Sequence, residues 1–129
     1  MGIRLATYLF LICASLGLPA FGQGRLGTLD SLRNISLHAS SDTTRMVAML
    51  QLASAYAEID PDSSFNYASK ALPLAEQLQY SLEKAASLHE MGYAQNNLGN
   101  YSRALQFLLE ALKITEDPLS EKNILPKYF

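Results

Sequence analysis

The chain has 129 residues, 49% of them hydrophobic and 17% charged, with ten Lys and Arg against twelve Asp and Glu and a formal net charge of −2. That length holds one small domain. The basic residues are scattered singly, which excludes the concentrated positive face that a nucleic-acid binder needs to neutralise phosphates. Cys13 is the sole cysteine, so an internal disulfide and a cysteine-ligated zinc are excluded as well.

The first predicted element is a targeting segment over residues 1–22. Met1-Gly2-Ile3-Arg4 is a short basic start, Leu5 to Leu18 is almost wholly apolar, and Ala20-Phe21-Gly22 puts small residues at the last and third-last positions before Gln23. This order predicts a secretory signal peptide cleaved after Gly22. Its apolar stretch of about 14–17 residues falls short of the roughly 20 that cross a bilayer. Ile12 occupies the position before Cys13 where a lipoprotein signal needs a small residue. Cleavage leaves an exported chain, periplasmic or extracellular, with no membrane span, no cysteine and a net charge of about −3 once Arg4 is gone.

The remainder reads as helix throughout, an all-α fold. Leu26, Leu29, Leu32, Ile35 and Leu37 predict a short leading helix, which with the linker Ser40-Ser41-Asp42-Thr43 makes a capping segment over 23–43. Asp42 or Thr43 is expected to cap the next helix, about Thr44 to Ile59, with Met49, Leu52, Ala53 and Tyr56 on its packed face. Asp60-Pro61-Asp62-Ser63 is a turn and a second N-cap, followed by helices over about Ser63–Leu78, Leu82–Leu98 and Tyr101–Thr115. Pro73 falls inside the first of these three and is expected to kink it. After Asp117-Pro118 the pattern decays into a tail or cap over 119–129.

The helices fall into two pairs, over about 45–79 and 82–118. Leu52-Ala53, Tyr56, Ile59, Ser64, Tyr67-Ala68 and Ala71-Leu72 of the first stand where the second has Met91-Gly92, Gln95, Leu98, Ala104, Phe107-Leu108 and Ala111-Leu112. Small residues at Gly92, Ala104 and Ala111 let two antiparallel helices approach closely, and Gly99-Asn100 makes the turn between them. This pattern resembles the tetratricopeptide repeat (TPR), a helix–turn–helix unit of about 34 residues that stacks into binding surfaces. The resemblance implies a short right-handed stack of antiparallel helix pairs over 44–118. Gln95 departs from it, placing a polar group in the packing layer where the family often has tyrosine; that group needs a hydrogen-bond partner. The order of leader, leading helix and repeats is similar to the exported N-terminal region of bacterial sensory repeat proteins, whose relatives often continue into further repeats, a membrane helix and a signalling domain.

In TPR stacks the first helix of each pair lines the concave side. Carried across residue by residue, the resemblance implies a groove of Leu50, Gln51, Ser54 and Glu58 in the first pair and His89, Glu90, Tyr93, Asn96 and Asn97 in the second. Residues 89, 93, 96 and 97 keep the spacing of one helical face, opposite Leu88, Met91 and Leu98. Such a face can hydrogen-bond a peptide backbone while Tyr93 supplies apolar area. It lacks the Lys and Arg with which some family members clamp an acidic peptide C-terminus.

Chemistry finds no constellation. His38 and His89 stand apart from any nucleophile, and Ser87, His89 and Glu90 point to different faces of one helix. Asp60 and Asp62 belong to a turn without the twelve-residue loop of a calcium site. No phosphate-cradling glycine loop occurs. The reading is a non-catalytic module without cofactor or metal, binding a peptide or protein segment in its groove and acting in signalling or envelope assembly. The alternative is a truncated sensory fragment with a structural role, which stacks its repeats on those of another chain and so self-associates. A stack of about three units is usually needed for stability, and only two are present.

Overall fold

The computed structural model describes residues 23–117; the expected signal peptide over 1–22 and the tail over 119–129 lie outside the described residues. Among the described residues five helices follow one another: α1 (Gln23–His38), α2 (Asp42–Tyr56), α3 (Pro61–Gln77), α4 (Ser81–Asn97) and α5 (Tyr101–Thr115). There is no strand among the described residues. The fold is all-α and TPR-like. Packing divides the chain between Asp30 and Ser31, inside α1. Residues 23–30, the described part of the first unit, are the first half of α1. The second unit holds the rest of α1 and α2 to α5.

Side chains at the helix ends explain the boundaries. Ser41, rather than Asp42 or Thr43, caps α2: its hydroxyl accepts from the Thr44 N–H at 3.4 Å. Asp42 is instead the first residue of the helix, where it pairs with Arg45. The helix stops at Tyr56, earlier than Ile59, because the Ile59 and Asp60 amides both turn back to the Tyr56 carbonyl. Pro61 opens α3, where its missing N–H costs nothing, and Asp60 caps it. The Asp60 carboxylate accepts from the Ser63 N–H at 3.2 Å and from the Ser63 hydroxyl at 2.6 Å. Those bonds hold the Asp60 carboxyl below its usual value, the hydroxyl contributing most. Helix α3 continues through Pro73 to Gln77, and Pro73 is exposed.

Two helix ends share one device. At the end of α3 the Tyr80 amide donates to the Ala75 carbonyl and the Gln79 amide to that of Glu76; at the end of α4 the Asn100 amide donates to Gln95 and the Gly99 amide to Asn96. Both are Schellman motifs, which need a left-handed residue. Gly99 supplies it at φ 80° and Gln79 at φ 58°.

Each helix from α2 onward packs on the next, and α4 touches both α2 and α3. Alanines at the contacts allow this. Met91 of α4 sits with Ala53 of α2 and Ala68 of α3, flanked by Phe65, Tyr67, Leu72 and Phe107. Gly92 sits at a tight contact. A Cβ there would lie 2.8 Å from Cγ of Leu108 and 3.1 Å from the Ala104 carbonyl oxygen, so α4 meets α5 where the sequence has its smallest residue. Gln95 is buried at 5% exposure, and its Oε1 accepts from Asn100 Nδ2 at 2.9 Å. The polar group in the packing layer thus finds its partner in the adjoining turn.

Candidate functional site

The outer face of α4 carries the polar row that the spacing anticipated. His89, Asn96 and Asn97 are exposed, and Tyr93 and Glu90 are half-buried. The Tyr93 ring stacks on His89, with centroids 6.4 Å apart and planes 10° from parallel. Its hydroxyl donates to Glu58 Oε1 at 3.2 Å, across 35 residues of sequence. Asn97 Nδ2 donates to the Ala57 carbonyl at 2.7 Å. These two bonds tie the last turns of α4 to the chain leaving α2. Four of the candidate residues (Glu58, His89, Tyr93 and Asn97) therefore form one connected surface, and Asn96 lies exposed beside them.

Electrostatics at this surface are mild. Burial pushes the Glu90 carboxyl above its usual value, and the neighbouring His89, 3.9 Å away, pulls the other way. Among the described residues no group of three His, Cys, Asp or Glu comes together that could hold a metal ion.

The first pair contributes less than expected. Ser54 and Gln51 are exposed on α2. Gln51 lines a groove of about 230 Å³ with Leu32 and Ile35 of α1 and Thr43, Thr44, Val47 and Ala48 of α2. Leu50 leaves the polar row altogether. It packs against Met46, Ala71 and Ala75 inside the first pair. Ala71 and Ala75 of α3 are small, and Leu50 packs against them together with Val47, Met49, Leu74, Leu78 and Tyr80. Near the α1 end, the Arg33 guanidinium lies 5.6 Å above the Tyr56 ring centre and also bonds its hydroxyl. Tyr56 in turn stacks on Tyr67 at 5.9 Å.

Sequence reasoning missed a second feature. Leu82, Ala85, Ala86 and His89 of α4 and Leu108, Ala111, Leu112 and Thr115 of α5 line an open groove of about 560 Å³. Beside it Leu105, Leu109 and Leu112 are each at least half exposed. A signal was present: α5 carries leucines at 105, 108, 109 and 112, a stripe wider than one buried seam requires. Among the described residues no helix is long and apolar enough to cross a membrane.

No curated protein and no solved structure matches this chain. The family described as the SusR N-terminal TPR domain matches residues 19–129, a span that takes in every helix above and the tail beyond them. With helix pairs packed through small residues, an α4 seated on both helices of the preceding pair, and most of its length matched, this chain belongs to the SusR N-terminal TPR domain family, whose fold is a protein-interaction module.

Proposed function

We propose that this chain is an exported, non-catalytic TPR module that binds an extended peptide or protein segment on the face of α4 and the adjoining end of α2, in signalling or envelope assembly. The observation that carries the reading is the fixed polar surface around Tyr93. Hydrogen bonds to Glu58 and Ala57 hold Tyr93 and Asn97 in place before any partner arrives, which lowers the ordering cost of binding. His89 and Asn96 are exposed beside them, with imidazole and amide groups suited to a peptide backbone. Gln51 and Ser54 extend the surface along α2.

Selection of peptides from a random display library on the immobilised chain tests this. Selected peptides should bind Tyr93→Ala about tenfold more weakly, a loss of about 1.4 kcal/mol, while its circular dichroism stays that of the parent. Failure to select any sequence, or selected peptides indifferent to Tyr93→Ala and Asn96→Ala together, would sink the groove. Export is tested separately by N-terminal sequencing of the chain expressed in a Gram-negative host. The expected first residue is Gln23, and a retained Met1 in the cytoplasmic fraction would refute it.

A further inference from the structure

The α4 face and the adjoining end of α2 carry fixed charge of one sign. Residues 50–60 and 89–100, which make this surface, contain Glu58, Asp60 and Glu90 and neither Lys nor Arg. Within those two stretches only His89 can take a positive charge. Cations elsewhere on the same helices and on α1 are already engaged. Arg45 pairs with Asp42, Lys84 pairs with Glu76 at 3.1 Å, and the Arg33 guanidinium lies over the Tyr56 ring.

Two of these carboxylates adjoin Tyr93. Glu58 is exposed, and one of its oxygens accepts the Tyr93 hydroxyl at 3.2 Å, which fixes that carboxylate at the hydroxyl end of the ring. Glu90 precedes Tyr93 by one helical turn, on the same side of α4. It is half-buried, and burial raises its carboxyl above the usual value, a cost that a cation seated beside it relieves. The Tyr93 ring, stacked on His89, adds aromatic surface next to both acids. A lysine or arginine side chain uses all of these features. Its alkyl stem lies on the ring, and its charged head takes the carboxylate oxygens. A bare metal ion finds less, since among the described residues no three ligating groups come together to hold one.

We propose that the segment bound on this face is cationic: a Lys or Arg side chain of the partner lies along Tyr93, its head held by the Glu58 and Glu90 carboxylates. This rests on the reading of the face as a peptide site and adds the chemistry of its occupant. A basic partner also complements the net charge of −2 on the chain, which steers the encounter before any contact forms. Asn96, exposed on the same face, is left to bond the partner's backbone.

The experiment selects peptides from a random display library on the immobilised chain and reads their Lys and Arg content. Peptides whose binding falls in Tyr93→Ala should be enriched in Lys or Arg over Asp and Glu. Replacing their basic residues by glutamine should weaken binding severalfold, as should raising sodium chloride from about 0.05 M to about 0.5 M. Glu58→Gln keeps an acceptor for the Tyr93 hydroxyl, so it removes the charge without freeing the ring. That variant and Glu90→Gln should each weaken the basic peptides about two- to fivefold. Glu110→Gln, in a separate groove with Lys84 and Lys113, should leave them unchanged. Tyr93-dependent peptides that are neutral or acidic would overturn the cationic occupant and leave the peptide site standing. An empty selection would remove both together. Basic peptides weakened as much by Glu110→Gln, or bound as well by Tyr93→Ala, would assign the attraction to net charge alone and overturn the proposal.

Discussion

Single residues set how closely the helices approach. Gly92 has no room for a methyl group against Leu108 and the Ala104 carbonyl, whereas a Cβ at Gly27 of α1 meets nothing within 4 Å. Alanine gains about 1 kcal/mol of helix propensity over glycine, and overpacking a close contact costs about 1–3 kcal/mol. Gly92→Ala is therefore expected to lose stability on balance in urea denaturation, while Gly27→Ala does not. The candidate groove depends on the same scale. Tyr93 and Asn97 are held by one bond each, to Glu58 and to the Ala57 carbonyl, and both spacing and side-chain type were visible before the structure. Their partners were not, because a turn between helices decides which carbonyl faces an amide 40 residues away.

At the scale of elements, the two Schellman ends of α3 and α4 differ only in what supplies the left-handed residue. Gln79 carries a Cβ at φ 58°, a conformation that costs an L-residue with a side chain about 1 kcal/mol. Gln79→Gly is expected to stabilise the protein by up to about 1 kcal/mol, read as a raised urea midpoint with an unchanged slope; a lower midpoint would refute the motif. The start of α3 has a pH signature. The Ser63 bonds lower the Asp60 pKa, so the folded state holds the carboxylate more readily than the unfolded chain does. Its contribution is present above the ordinary carboxylate range and is lost as pH falls through the lowered folded value. Asp60→Asn keeps an acceptor but not the charge, so its melting midpoint should fall below the parent's at neutral pH and converge with it in acid. An undiminished gap at about pH 3 would contradict the cap's ionic part.

The whole molecule depends on coupling between the pairs. Met91 joins α2, α3 and α4 in one cluster and is 7% exposed. Truncating a buried methionine costs about 2–5 kcal/mol. Met91→Ala should do so while broadening the melt, since it loosens the seam between the pairs rather than one pair alone. Calorimetry checks this: a parent transition already split in two would mean that the pairs fold independently. A surface truncation of similar size, Leu105→Ala on α5, should cost far less, because that side chain is more than half exposed.

The sequence by itself determined the helical class and the repeat family. These rest on local periodicity and on small residues at fixed offsets, and both can be read from neighbours along the chain. It also located the polar row on α4, since residues 89, 93, 96 and 97 share a face in any straight helix. Only the tertiary structure decided that Ser41 caps α2, that Leu50 belongs to the core, and that α5 keeps a leucine stripe open. Each of these turns on the shape of a facing surface. Leu50 packs against the alanines of α3, whereas Ala85 and Ala86 of α4 line an open groove with Leu112. A pattern of apolar residues says that a face will be buried; the volume opposite it decides by what.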